Sequence, residues 1–311
     1  MRIATFSIVA ADVGRGEWGI AVASRFLAVG AVVPWARAGA GAVATQSYAN
    51  TTFGPAGLEL MQQGVPAQEA LDRLLATDEG RAQRQVGMVD RSGRAATFTG
   101  AECFAWAGGR TGPGYACQGN ILTGPQVVER MAEAFEGTPG ELPMRLFAAL
   151  AAGDHAGGDS RGRQSAALLV VRQGGGYAGF NDRALDLRVD DAPNPIPRLR
   201  RLIELHQLYS GTSDPAERVE IRGAVARDLQ TMMKSLGHYR RRVNGTYDSA
   251  TREALRAFTG KENLEDRVDL DHGAIDPPAL AYLVRKFGRA RPTKSSSPTS
   301  SRRRAPRRLP P

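Results

Sequence analysis

The sequence predicts an α+β protein: a four-layer αββα sandwich, then a small all-α helical domain, then an unstructured basic tail. Three observations predict it. Apolar, β-favouring segments fall in two groups, with helical periodicities between them. The most apolar run, 166–171, is continuous rather than alternating. Both its faces therefore need cover, and helix–sheet–sheet–helix layering supplies it. Beyond the prolines at 193, 195 and 197 the pattern turns helical throughout.

The chain opens on a strand over 4–12, a Gly-containing turn and a second apolar strand over 18–24, which is a hairpin pattern. Alternate strand residues share a face, so Thr5 and Ser7 project the same way. A short apolar segment around Gly30 leads to a buried strand over 42–46 and a polar loop over 47–54. Two helices follow, 55–63 and 66–76, the first stopped by Gly64 and the second opened by Pro66. Segments 85–90 and 95–99 form a second hairpin. Gly108–Gly109 and Gly112–Gly114 read as loops leading to 115–120. Helices are expected from Pro125 through Phe135 and over 140–152. The glycines at 174–176 turn the apolar run back into 177–180, and 185–190 alternates like an edge strand. The domain division expected is 1–191, a Pro-rich linker over 192–198, a helical domain over 199–288 and a tail over 289–311.

Net charge is +9, but eight Arg or Lys and no acid lie in 289–311, so the rest carries about +1. The tail has no aromatic interleaving and no base-reading module, so specific nucleic-acid binding is not expected. The two cysteines, Cys103 and Cys117, lack zinc-site spacing and are expected to be reduced. No apolar run reaches membrane-spanning length, and the start lacks secretory-signal character. A cytoplasmic protein is the expectation, with export by another route left open.

The segments TFSIVA (5–10), AVASRFLAVG (21–30), QGN (118–120) and GRQSAAL (162–168) carry a resemblance. Over 1–191 the chain resembles the bacterial and archaeal family of unknown function DUF1028, placed by fold among the N-terminal-nucleophile hydrolases. That resemblance implies the same αββα sandwich and hydrolysis of a small amide or peptide-like bond. It implies a Thr, Ser or Cys nucleophile whose own α-amine acts as base, with no cofactor and no metal. The sequence departs from the pattern because Thr5 is not residue 2: an amine on Thr5 needs cleavage after Ala4 or a later start. Leu229-Gln230, Leu236-Gly237, Gly245 to Asp248, Thr251 and Phe258 resemble a peptidoglycan-binding-like domain, a small three-helix bundle.

Thr5 and Ser7 are the candidate nucleophiles; the alternative is two β-favouring or small residues in a buried strand. Asn120 is a candidate oxyanion donor or a turn residue. Arg163, Gln164 and Ser165 either shape a pocket or tie a loop to its neighbour. Gln46 serves binding or loop stabilisation equally well. Arg25 supplies positive charge near the site and stays protonated, so it is no base. Asp269, Asp271 and His272 read as a solvated turn rather than a metal site. Two functions compete: an amide hydrolase with a glycan-binding module, and a non-catalytic cell-wall or glycan-binding protein. The partners expected are a small amide-containing substrate and peptidoglycan or a related glycan, and a homo-oligomer is compatible with both readings.

Overall fold

The computed structural model describes residues 5–211 and 214–288. The basic tail expected over 289–311 lies outside the described residues. The chain divides into two compact units, Met1–His206 and Gln207–Pro311.

The first unit runs β1 (Thr5–Asp12), β2 (Glu17–Ser24), β3 (Pro34–Arg37), β4 (Gly41–Ser47), α1 (Phe53–Gln62), α2 (Ala67–Ala76), β5 (Arg84–Asp90) and β6 (Ala95–Thr99). It continues with β7 (Gly108–Gly112), β8 (Tyr115–Asn120), α3 (Gln126–Gly137), α4 (Leu142–His155), β9 (Ser165–Arg172), β10 (Arg183–Val189) and α5 (Pro195–Ser210), whose last turn enters the second unit. Two antiparallel sheets result, one ordered β10-β9-β2-β1-β8-β7 and the other β3-β4-β5-β6. Three apolar layers hold them. Phe6, Ile8 and Ala10 face α3 and α4. Val9 and Ala11, on the opposite face of β1, pack with Ile20, Val22, Ala42, Ala44 and Val89 between the sheets. Val43, Val86 and Met88 meet α1 and α2 on the far side. The αββα sandwich expected from the sequence is the fold.

Alternation explains the layering. Strands β1, β2 and β9 are buried on both faces, and their odd and even residues go to different apolar layers. Asp12 fixes the first hairpin by accepting the Arg15 backbone N–H at its carboxylate.

Local differences from the sequence reading have simple causes. Gly108–Gly112, expected as loop, is the edge strand β7, paired from Gly108↔Gly119 to Gly112↔Tyr115. Main-chain pairing with β8 needs no side chains, so it overrides poor β propensity. Segment 177–180 is a tight turn, not a strand, and leaves Tyr177 and Phe180 88% and 87% exposed. Pro195 and Pro197, expected within a linker, sit in the first turn of α5, where a missing N–H costs nothing. Ile196, Leu199 and Ile203 of that helix pack into the layer beside α3 and α4.

The second unit contains β11 (Val219–Glu220), α6 (Gly223–Ser235), α7 (Ser249–Lys261), β12 (Val268–Asp269), β13 (Ala274–Ile275) and α8 (Pro277–Phe287). The three helices are joined by a small β11-β13-β12 sheet that the sequence did not suggest. The stretch after Asp214-Pro215 makes one 3-10 turn and β11 before α6 begins. Asp248 caps α7 through the Thr251 N–H at 2.8 Å.

Candidate functional site

The polar residues of β1 lie at one end of the layer between the sheets. Thr5, Ser24, Asn120 and Ser165 stand in one row across β8, β1, β2 and β9: Thr5 pairs with both Ser24 and Asn120, and Ser24 pairs with Ser165. All four are buried. The other end of the layer is apolar.

Thr5 and Ser7 have the same facing, as the alternation requires, and both are 0% exposed. The Thr5 hydroxyl donates to Ser24 Oγ at 3.2 Å. The Ser7 hydroxyl donates to Gln46 Oε1 at 2.6 Å and accepts from Gln118 Nε2 at 2.7 Å. Gln46 Nε2 donates to Gln85 Oε1 on the neighbouring strand of the same sheet at 2.9 Å. Asn120 Nδ2 donates to the same oxygen at 2.9 Å. Gln85 Nε2 in turn reaches Thr99 Oγ1 at 2.9 Å and Gly119 O at 2.7 Å. Four carboxamides, from β4, β5 and β8, thus knit the two sheets together around Ser7.

Carboxamides suit this place because each carries donor and acceptor without charge, so burial needs partners but no counter-ion. Gly87 on β5 makes room for one of them: a Cβ there would lie 2.1 Å from Gln118 Oε1.

The remaining candidates separate. Ser165 clips the turn after β2, donating to Phe26 O at 2.5 Å and accepting from the Val29 N–H at 3.1 Å. Gln164 donates to Asp191 at 3.1 Å, and Arg163 to Asp154 on α4 at 2.6 Å. That ion pair raises the Arg163 guanidinium further above its ordinary range. Arg25 donates to Arg163 O at 2.9 Å, so those two meet, at a loop clasp rather than beside Ser7. Buried Asp159 organises the clasp, accepting from the Arg25 N–H at 2.8 Å and from Arg161. The Asn120 amide is committed to Gln85.

Sequence reading missed Ser24, Gln85 and Gln118. The signal was a set of amides, Gln46, Gln85, Gln118 and Asn120, inside β-favouring segments otherwise largely apolar.

The second unit presents a different surface. A groove of about 340 Å³ is lined by His238, Tyr239, Arg240, Arg241, Glu253 and Ala254, among others. A hollow of about 410 Å³ adjoins it along α7, lined by Ser249, Arg252, Glu253 and Arg256. Buried Gln230 holds the far end of the loop between α6 and α7: its Oε1 accepts the Asn244 and Gly245 N–H groups, and its Nε2 reaches Thr246 O and Thr251 Oγ1. Tyr239 is buried and Lys234 donates to Arg241 O, which pins the loop backbone and leaves the Arg240 and Arg241 side chains outward. Asp269 accepts the Asp271 and His272 N–H groups, closing a turn. Among the described residues, no cluster of three His, Cys, Asp or Glu is placed to hold a metal.

The fold and site define an αββα sandwich with a polar inter-sheet seam, followed by a helical module with a basic groove. The chain belongs to the family of unknown function DUF1028, whose model matches residues 5–199. The model named "Putative peptidoglycan binding domain" matches residues 212–283. Among solved structures, the chain is similar to protein SPO2555 from Silicibacter pomeroyi, described as a member of the same DUF1028 family. That match has 33% identity and a TM-score of 0.60, covering 68% of this chain and 92% of that one. No curated protein matches.

Proposed function

We propose that this protein binds peptidoglycan or its fragments through the helical module. The observation that carries the reading is the match of a peptidoglycan-binding family to a folded unit bearing an open groove. The groove offers one aromatic wall and several outward arginines, groups suited to a sugar–peptide polymer. In a cytoplasmic protein the ligand is a soluble fragment; in an exported one it is the wall itself. Co-sedimentation of the full chain with purified sacculi tests this reading. A chain that stays in the supernatant at every sacculus concentration rules it out.

A second reading concerns the sandwich. Thr5 lies in the inter-sheet layer at the start of β1, with Ser24 and Asn120 beside it in the ladder. In a chain beginning at Thr5, the hydroxyl and an α-amine base belong to one residue, the arrangement of an N-terminal-nucleophile amide hydrolase. Ser7 is held on both sides by Gln46 and Gln118, which favours Thr5 over Ser7 as the attacking group. The test is a chain produced to begin at Thr5 and exposed to an acylating amide-hydrolase probe. A mass increase that disappears in Thr5→Ala supports it; an unmodified chain removes the catalytic reading and leaves the binding one standing.

A further inference from the structure

The groove beside α7 has a charge pattern that selects one part of a peptidoglycan ligand. Arg240 and Arg241 line the groove, and Arg252 and Arg256 line the adjoining hollow, with Glu253 as the one acid in either lining. Arg252 is engaged by Asp271. Among the described residues, Arg240, Arg241 and Arg256 make no ion pair. Arg241 acts only at longer range on the Asp248 cap, whose carboxyl is held low chiefly by the Thr251 N–H. Arg240 and Arg241 in the groove and Arg256 in the adjoining hollow thus outnumber the single carboxylate, Glu253, that lines both.

Neutral sugar hydroxyls gain little from such a cluster. Carboxylates gain a great deal, because a guanidinium presents parallel N–H donors in the spacing of two carboxylate oxygens. The short peptides that branch from a peptidoglycan strand carry carboxylates at their free ends and acidic side chains. We propose that this groove is a carboxylate-binding subsite, which reads the acidic stem peptide and not the glycan strand. This rests on the peptidoglycan-binding reading above. The pinned loop matters to it: the buried Tyr239 and the Lys234 bond to Arg241 O hold the backbone from which Arg240 and Arg241 project, so the donors are pre-arranged rather than recruited.

The test uses the full chain and sacculi stripped of teichoic acid, which removes phosphate as a competing anion. Three preparations are compared: intact sacculi, soluble glycan strands freed of their stem peptides by an amidase and amidated at the lactyl carboxylates that this hydrolysis exposes, and sacculi whose carboxylates have been amidated. The proposal expects binding to intact sacculi that weakens at least about tenfold on either treatment and in the Arg240→Glu/Arg241→Glu variant. Arg256→Glu should weaken it in the same direction. Arg222→Glu serves as the charge control, since Arg222 is outside both linings and pairs with Glu220. Full binding to peptide-free glycan strands overturns the subsite and leaves the peptidoglycan reading intact. Loss of binding in Arg222→Glu equal to that in the groove variant overturns it as well, as does equal competition by duplex DNA or anionic vesicles, because the surface would then be a general cationic patch. Failure to bind any sacculus preparation overturns both readings.

Discussion

Ser7 and Gln118 face each other across adjacent strands, and the Gln118 amide donates to the Ser7 hydroxyl at 2.7 Å while that hydroxyl donates onward to Gln46 at 2.6 Å. The hydroxyl thus donates once and accepts once in joining two sheets, and it is buried at 0% exposure, as Thr5 is. Its measurable consequence is structural.

Gln46→Leu removes the acceptor for Ser7 and a donor to Gln85 in one step. Each buried group left without its partner costs about 1–3 kcal/mol. Thr5→Val keeps the shape of its side chain and removes one hydroxyl, at about 1 kcal/mol. Urea titration should therefore rank Gln46→Leu well below Thr5→Val in stability. The reverse order would contradict the seam described here.

Gly87→Ala tests the same seam from the other sheet. A methyl group there meets the Gln118 carboxamide, which is held by Ser7 and cannot swing aside without breaking its bonds. Overpacking of this kind costs about 1–3 kcal/mol. Thermal unfolding should show a lowered midpoint, and pairing Gly87→Ala with Gln118→Ala should recover part of the loss. Additive losses would show that the two residues do not touch.

Acid sensitivity should centre on Asp78. Its carboxyl is held below the ordinary value of 3.8, first by the Arg84 side chain and then by the Gly80 N–H and Asn50. Arg84 Nε and Nη2 donate to the two carboxylate oxygens at 2.7 and 3.1 Å. A depressed folded-state value means the stabilisation is complete above pH 3.8 and is lost as pH falls through the lowered value. Asp78→Asn should cost about 1–3 kcal/mol at neutral pH and flatten the acid limb of the stability profile. An unchanged acid limb would refute the assignment.

The two thiols should react unequally. Both cysteines are free, Cys117 buried and Cys103 half-buried. Burial pushes the Cys117 thiol far above its ordinary value, so little thiolate exists at neutral pH. Iodoacetamide at pH 8 should modify Cys103 and spare Cys117 until the chain is unfolded. Equal labelling rates in the folded protein would be inconsistent with the closed layer beneath α3.

Much of the sandwich was legible because its signals are local. The period of two in 5–12 placed Thr5 and Ser7 on one face, and the unbroken run at 166–171 required cover on both sides. The glycine strand β7 was not legible, since its pairing comes wholly from β8. The proline-marked start of α5 was misread because Pro is also a good first-turn residue. Of the site residues, Gln46 and Asn120 were picked out, while their common partner Gln85 was not.

Sequence alone determined which residues turn inward, because side-chain direction follows from the strand repeat and apolar burial within a few residues. What only the tertiary structure decided was who meets whom across the layer. Gln85 and Gln46 sit on one sheet and Ser7, Gln118 and Asn120 on the other, and no local pattern encodes the stacking that brings them into hydrogen-bonding range. The same holds for Arg240, Arg241 and Arg256, scattered basic residues until the buried Tyr239 and the Lys234 bond to Arg241 O set the loop beside α7, with two of them in the groove and one in the adjoining hollow.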